Sequence, residues 1–119
     1  MGERDTFITH QGKELLLVDF ANLKADQFIQ AIGEAKKFLL GLGKKDLLVL
    51  YDVSNSRVSP EVVDTLKEAA KATHPFIKRR AVVGISGLQR VILNAVNVFT
   101  GEDIRPFETP EQAKDWLAS

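Results

Sequence analysis

Cysteine is absent from this chain of 119 residues. Disulfides, thiolate metal ligands and a cysteine nucleophile are therefore excluded. A domain of this length buries roughly two thirds of the surface that its unfolded chain exposes, so it needs no cross-link to be stable. The absence of cysteine also fits a reducing compartment, and we expect a cytoplasmic protein.

A surplus of charge is absent as well, because 16 Lys and Arg residues balance 16 Asp and Glu residues. Nucleic-acid-binding domains usually show a basic surplus or a basic face, so we expect no nucleic-acid partner. Long apolar runs are also missing, and we expect neither a signal peptide nor a membrane span. No repeat, linker or low-complexity segment divides the chain, which predicts one domain over residues 1–119.

The chain does contain two alternating hydrophobic periodicities. Apolar residues spaced three or four apart predict helices that begin near residues 25, 60, 88 and 110. Short apolar runs predict strands at 6–10, 15–18, 47–51, 81–85 and 104–107. The order β-β-α-β-α-β-α-β-α predicts an α/β fold whose central, mostly parallel sheet has five strands, an antiparallel edge strand and helices packed against it.

The sequence also predicts the environment of two further segments. The third helix carries an apolar stripe that we expect to face the core. Its members are Leu88, Val91, Ile92, Ala95 and Phe99. The basic segment 78–80 precedes the fourth strand, and we expect a solvated strand start there, available to an acidic partner or a phospholipid headgroup.

Four segments together resemble a known group of bacterial proteins. They are LLVDFANL (16–23), LLVLYDVSNSRVSPEVVDTLKEAA (47–70), KRRAVVGISGLQRVILNAVNVFTG (78–101) and PFETPEQAKDWL (106–117). The chain resembles the STAS superfamily, to which the anti-sigma-factor antagonists belong, and more closely the small SpoIIAA-like proteins of the STAS/Sec14 group. The resemblance covers nearly the whole chain and implies a SpoIIAA-like fold with a role in signalling through protein–protein interaction.

The resemblance implies a regulatory site in one loop. In the antagonists, a strand ending in aspartate leads to a serine at the next helix start, and phosphorylation of that serine breaks the partner complex. Asp52 matches the strand end. Ser59 lies nearest the phosphoacceptor position, and Ser56 is a second candidate. This chain departs from the family pattern Asp-Ser-Ser-Gly, because Val58 and Pro60 flank Ser59.

The same serines also have a structural interpretation. Ser59 precedes a proline at the first helical position, so its hydroxyl is suited to cap the helix. Ser54, Asn55 and Ser56 fit a turn built on bonds from side chain to backbone. A phosphate on Ser59 would instead place a charge of about −2 at the helix start, where it would repel an acidic partner or attract Arg57.

Further candidate residues follow the central strands. Ligands of open α/β sheets bind at the carboxyl ends of the strands. Arg57 either binds a carboxylate or phosphate there or forms a surface ion pair with Glu61. A helix start near residue 86 offers free backbone amides to an anion. The predicted rim for a partner or ligand comprises Asp52, Ser54, Asn55, Arg57, Ser86 and Gly87.

Motifs for catalysis and for cofactors are missing. Residues 84–88 lack the last glycine of a nucleophile elbow, and no G-x-G-x-x-G fingerprint is present. His10 and His74 show no spacing typical of a zinc site. We therefore predict no enzyme, no cofactor and no bound metal, with a small hydrolase as the weakest alternative.

The sequence thus predicts a binding module. The leading hypothesis is a STAS-like regulatory or interaction domain, of the anti-sigma-factor-antagonist type, that binds a protein partner. The alternative is a carrier or sensor of a small apolar or lipid-like ligand, which the Sec14 side of the resemblance implies. A homodimer is a further open alternative.

Overall fold

The computed structural model describes residues 4–119. Its strands are β1 (Asp5–His10), β2 (Lys13–Asp19), β3 (Leu47–Asp52), β4 (Ile77–Val83) and β5 (Arg105–Phe107). Its helices are α1 (Ala25–Gly41), α2 (Pro60–Thr73), α3 (Gly87–Thr100) and α4 (Pro110–Ala118). One 3-10 turn, His74–Phe76, joins α2 to β4.

The strands form one sheet in the order β1-β2-β3-β4-β5. β1 is antiparallel to β2, and every other neighbouring pair is parallel. Gln11 and Gly12 connect β1 to β2 with positive φ angles, the geometry that suits a two-residue hairpin turn. Pro106 lies in the edge strand β5, where its missing N–H costs no ladder bond on the outer side. The predicted fold class is confirmed.

The two faces of the sheet are covered unequally. Successive strand residues point to opposite faces, so Val49 packs toward α1 while its neighbour Leu50 packs toward α4. On the α1 side, a further cluster joins Val82 of β4 to Ala70 of α2 and Val96 of α3. Three helices therefore share one face, and the short α4 covers the other.

The prediction for the apolar stripe of α3 is wrong for four of its five members, and Ile92 alone of the five packs against the core. Leu88, Val91, Ala95 and Phe99 are exposed, and in the structure of residues 4–119 the one buried residue of α3 is Val96. Helix α3 is apolar on two sides, so its periodicity did not identify the side that packs. Within residues 4–119, no helix combines the length and the apolarity needed to cross a bilayer.

The prediction for the basic segment 78–80 is wrong for Arg80. Strand β4 begins at Ile77, so the segment lies inside the strand. Arg80 is 3% exposed and points toward α2, where its guanidinium donates to the Ala70 carbonyl at 2.9 Å. Arg79 faces the other side and donates to the Trp116 carbonyl at 2.7 Å.

Candidate functional site

The carboxyl ends of β2, β3 and β4 meet at one edge of the sheet. Asp19 is the register partner of Asp52, and Asp52 is the register partner of Val83. The segments that follow these strands therefore form one surface. We call it the rim and define it as residues 20–24, 52–59 and 84–87.

Backbone hydrogen bonds hold the rim segments together. The N–H of Asn22 donates to the Ser54 carbonyl at 2.8 Å. The N–H of Arg57 donates to the Leu23 carbonyl, also at 2.8 Å. Such cross-loop bonds satisfy backbone groups that a loop otherwise leaves to water. The rim is thus an ordered surface rather than three independent loops.

Ser56 is buried inside the rim and hydrogen-bonds the segment that follows β2. It is 8% exposed, and its Oγ donates to the Phe20 carbonyl and accepts from the Leu23 N–H at 3.0 Å. Its carbonyl accepts from Nε2 of Gln89 in α3 at 3.2 Å. Because its hydroxyl is enclosed and bonded twice, Ser59 is the more accessible of the two candidate phosphoacceptors.

Ser59 caps helix α2. Its Oγ accepts from the Val62 N–H at 3.2 Å, and Pro60 occupies the first helical position. The residue is half-buried. The predicted capping geometry is present, and this bond is typical of serine at a helix start.

The aspartates at the strand ends shape the loops. Asp52 Oδ1 accepts from the N–H of Ser54 at 2.9 Å and from its Oγ at 2.6 Å. Asp19 Oδ1 accepts from the Ala21 N–H at 2.9 Å. In the part of the chain that the structure describes, no three acidic or histidine side chains group as metal ligands. Both aspartates therefore act in local turns.

The exposed polar side chains of the rim are Asn22, Lys24, Asn55, Arg57 and Ser86, and Gly87 is exposed beside them. Among residues 4–119, Arg57 has no ion-pair partner, so the pair with Glu61 is not formed. The Ser86 N–H already donates to Oε1 of Gln89 at 2.8 Å. The structure thus brings the predicted rim residues to one edge, where Arg57 is exposed and, among residues 4–119, forms no ion pair.

An apolar face adjoins the rim. Leu88, Val91, Ala95 and Val98 are exposed and recur every three or four residues, so they form one stripe of α3. We call this stripe the outer α3 face. Leu88 is 71% exposed and Val98 is 87% exposed. Exposed contiguous apolar surface of this kind marks interaction sites in soluble proteins.

A cavity of about 120 Å³ lies between the sheet and helices α1, α2 and α3. Its lining is almost entirely apolar and includes Phe20, Phe28, Tyr51, Leu66 and Ile92. The Phe20 and Tyr51 rings stack with their centroids 5.8 Å apart. An apolar cavity only slightly larger has been shown to stay dry and to bind benzene. This cavity is therefore large enough for a small apolar molecule.

One wall of the cavity is polar, and sequence reasoning missed it. Arg80 lines the cavity and donates to the Tyr51 hydroxyl at 3.2 Å and to Glu102 Oε1 at 3.1 Å. Glu102 also bonds Nδ1 of His74 at 2.6 Å. The sequence did contain one indication that Arg80 is buried. Arg80 precedes the apolar Val82 by two residues, and residues two apart in a strand point to the same face.

Comparison with known proteins identifies solved structures with a similar fold. No family model matches the sequence, and no curated protein matches it significantly. The chain is similar to an uncharacterized DUF3478-family protein with a SpoIIAA-like fold from Shewanella loihica PV-4, with 21% identity and a TM-score of 0.69. That match covers 95% of this chain and 91% of that one.

The chain has the SpoIIAA-like fold. It is also similar to an anti-sigma-factor antagonist (STAS) domain protein from Planctomyces limnophilus, with 13% identity and a TM-score of 0.68. This second match covers 97% of this chain and 98% of that one. At these identities, the two likenesses establish the STAS/SpoIIAA-like fold and confirm the resemblance seen in the sequence.

Proposed function

We propose that this protein is a non-enzymatic STAS-like interaction module, which binds a protein partner through the rim and the outer α3 face. The proposal depends on one observation, the continuity of an ordered polar edge with an exposed apolar helix face. Gln89 bonds Ser56 of the rim, and its chain neighbour Leu88 begins the outer α3 face. Protein interfaces combine an apolar centre with a polar border in this way.

The charges at this surface indicate the chemistry of the partner. Arg57 and Arg90 are both exposed, and α3 has no acidic residue. An acidic segment with apolar side chains would pair with these two cations while it covers Leu88 and Val91. Complementary charge steers such an encounter and fixes its orientation.

Regulation in this proposal acts at Ser59. A phosphate there would add charge of about −2 beside the start of α2 and two residues from Arg57. It would repel an acidic partner or compete with that partner for Arg57. The likeness in fold to an anti-sigma-factor antagonist (STAS) domain protein supports this signalling version.

The test measures affinity for a partner captured from the native host. We expect Val91→Glu and Arg57→Glu each to weaken the purified complex by tenfold or more. Leu40→Glu is the matched control, because Leu40 is an exposed apolar residue of α1 outside both surfaces. Equal affinity of wild type, Val91→Glu and Arg57→Glu for every captured partner would contradict the proposal. Ser59→Asp should weaken the complex with the fold intact.

The cavity favours a second candidate function, the binding of a small apolar ligand. Its lining is almost entirely apolar, with Arg80 and Thr73 among the few polar residues. Native mass spectrometry of freshly purified protein should show a co-purifying small molecule. Ala69→Phe should abolish that signal, because Ala69 lines the cavity and the larger ring would fill it. Repeated absence of any ligand from the folded wild type would count against this function.

A further inference from the structure

Helix α3 is apolar on two opposite sides. Its inner side, which includes Ile92 and Val96, packs against the core. Its outer α3 face remains exposed, and Val98 there is 87% exposed. Arg90 is the one charged residue in the sequence of the helix. Because an apolar side of a helix is normally buried against another element, the outer α3 face is suited to meet a second apolar surface.

The spacing of the outer α3 face is that of a coiled-coil seam. Leu88, Val91, Ala95 and Val98 follow one another at intervals of three, four and three positions. This alternation of three and four is the heptad pattern, in which a narrow apolar stripe packs against the same stripe of a second helix. The face therefore fits a helix that carries the same pattern.

The outer α3 face is also complementary to itself. Its intervals read the same in both chain directions. When two copies of α3 pack antiparallel about a two-fold axis, Leu88 meets Val98 of the second copy, and Val91 meets Ala95 of the second copy. The small Ala95 leaves room for the larger Val91 at both inner positions. The interface of a two-fold dimer must be self-complementary in this way.

Charge favours the antiparallel direction. Antiparallel helices place the opposite partial charges of their two ends side by side. Arg90 lies three positions before the centre of the stripe, so the two copies of Arg90 are about 9 Å apart along an antiparallel pair. A parallel pair would set the two guanidinium groups next to each other. Asn94 borders the stripe and is exposed but uncharged, so it brings no like charges together.

We infer that the outer α3 face binds a second copy of this chain, as an antiparallel pair of α3 helices related by a two-fold axis. The second copy occupies a surface that the proposed function already treats as an interaction site, so the inference rests on that function. The second copy and the protein partner then compete for the same face. The free protein forms the dimer, and the partner complex contains one copy of the chain.

The dimer is weak, because the contact is small. The stripe extends along about 15 Å of helix. A stable interface buries roughly 800 Å² on each partner and involves about 20–30 residues a side, which one short helix face does not supply. We expect a dissociation constant of about 100 µM, so that a tighter-binding partner displaces the second copy.

Sedimentation equilibrium of purified protein from about 10 µM to 1 mM tests the inference. The mean mass of wild type should rise from that of a monomer toward that of a dimer. Val91→Glu should weaken the association at least tenfold, because it sets a carboxylate against Ala95 of the second copy. Leu40→Glu, on α1 outside this face, is the matched control and should associate as wild type does. A wild type that stays monomeric, or a dimer that Val91→Glu does not weaken, overturns the inference.

The direction of the pair is tested by disulfide formation, because the native chain has no cysteine. Val91→Cys and Ala95→Cys are purified separately, mixed and oxidised, and mass spectrometry identifies the products. Antiparallel packing sets the two thiols of a mixed pair opposite each other. The mixed disulfide should therefore form at least fivefold faster than either homodimer. Predominance of a homodimer would overturn the antiparallel arrangement.

The results separate the dimer from the proposed function. If wild type stays monomeric while Val91→Glu and Arg57→Glu weaken the captured complex, the proposed function stands and a different protein covers the face. If wild type dimerises through α3 while every captured complex is insensitive to both variants, the dimer stands and the proposed function fails.

Discussion

Gly84 lies directly against Ser54 at the centre of the rim. A Cβ on Gly84 would be only 2.8 Å from the backbone N and Cα of Ser54, closer than real Cβ atoms approach. Gly84 also has a φ of 84°, in the region that favours glycine. This close approach joins the segment after β3 to the segment after β4, and the rim depends on it.

Gly84→Ala should therefore lower the free energy of unfolding by about 2–4 kcal/mol, because it adds steric conflict to an unfavourable φ. Gly101→Ala is the matched control. Gly101 has a φ of 72° with open space around it, so it should lose only about 1 kcal/mol. Urea denaturation measures both. Equal losses would show that the contact with Ser54 imposes no constraint.

Ser59→Ala should lower the free energy of unfolding by about 1 kcal/mol, because the Val62 N–H loses its acceptor. Ser59→Asp should retain most of that stability, since aspartate is an equally good cap. Thr109→Ala, at the start of α4, removes a similar bond of 3.2 Å and should cost a similar amount. If Ser59→Asp is as unstable as Ser59→Ala, a phosphate-like charge at this position disturbs the fold itself.

Asp5→Asn should raise stability at neutral pH. Burial raises the pKa of Asp5 above its ordinary value of 3.8, and the nearby Glu34 raises it further. The protonated form is thus favoured by folding, and its stabilising contribution is complete below the ordinary pKa. That contribution is lost as pH rises through the raised pKa, so ionised Asp5 opposes folding at neutral pH. The asparagine lacks this penalty.

The measurement for Asp5 is the free energy of unfolding as a function of pH. The advantage of Asp5→Asn over wild type should be largest at neutral pH, shrink as pH falls through the raised pKa, and vanish below the ordinary value of 3.8. Asp103→Asn serves as the control, because Asp103 is exposed and pairs with Arg105 at the surface. An advantage of Asp5→Asn that does not change with pH would rule out titration of Asp5 as its cause.

Arg80→Met should lower the free energy of unfolding by about 3–5 kcal/mol, because Glu102 then loses its buried cation and keeps only the exposed His74 as a partner. The double variant Arg80→Met, Glu102→Met should recover much of this loss, since no buried charge is left unpaired. A double-mutant cycle measured by denaturation gives the coupling between the two side chains. Additive losses would mean that the ion pair is not formed in solution.

The local signals in the sequence account for the framework of the fold. Periodicity indicated each helix and strand, and Ser59 and Thr109 before prolines marked two helix starts. The position of the rim could also be predicted from the sequence, because the loops that follow parallel strands lie at the same edge of the sheet. These features depend on neighbours within a few positions of each other, or on the order of elements alone.

Only the tertiary structure decided which surfaces are inside. Helix α3 is apolar on two sides, and its packing beside α2 left Leu88 exposed and Val96 buried. Ser56 links two segments of the rim because its hydroxyl bonds to Phe20, 36 residues away in sequence. Arg80 is buried beside α2 and pairs with Glu102, 22 residues away in sequence. Contacts between distant residues depend on how complete elements pack, and a local pattern does not contain that information.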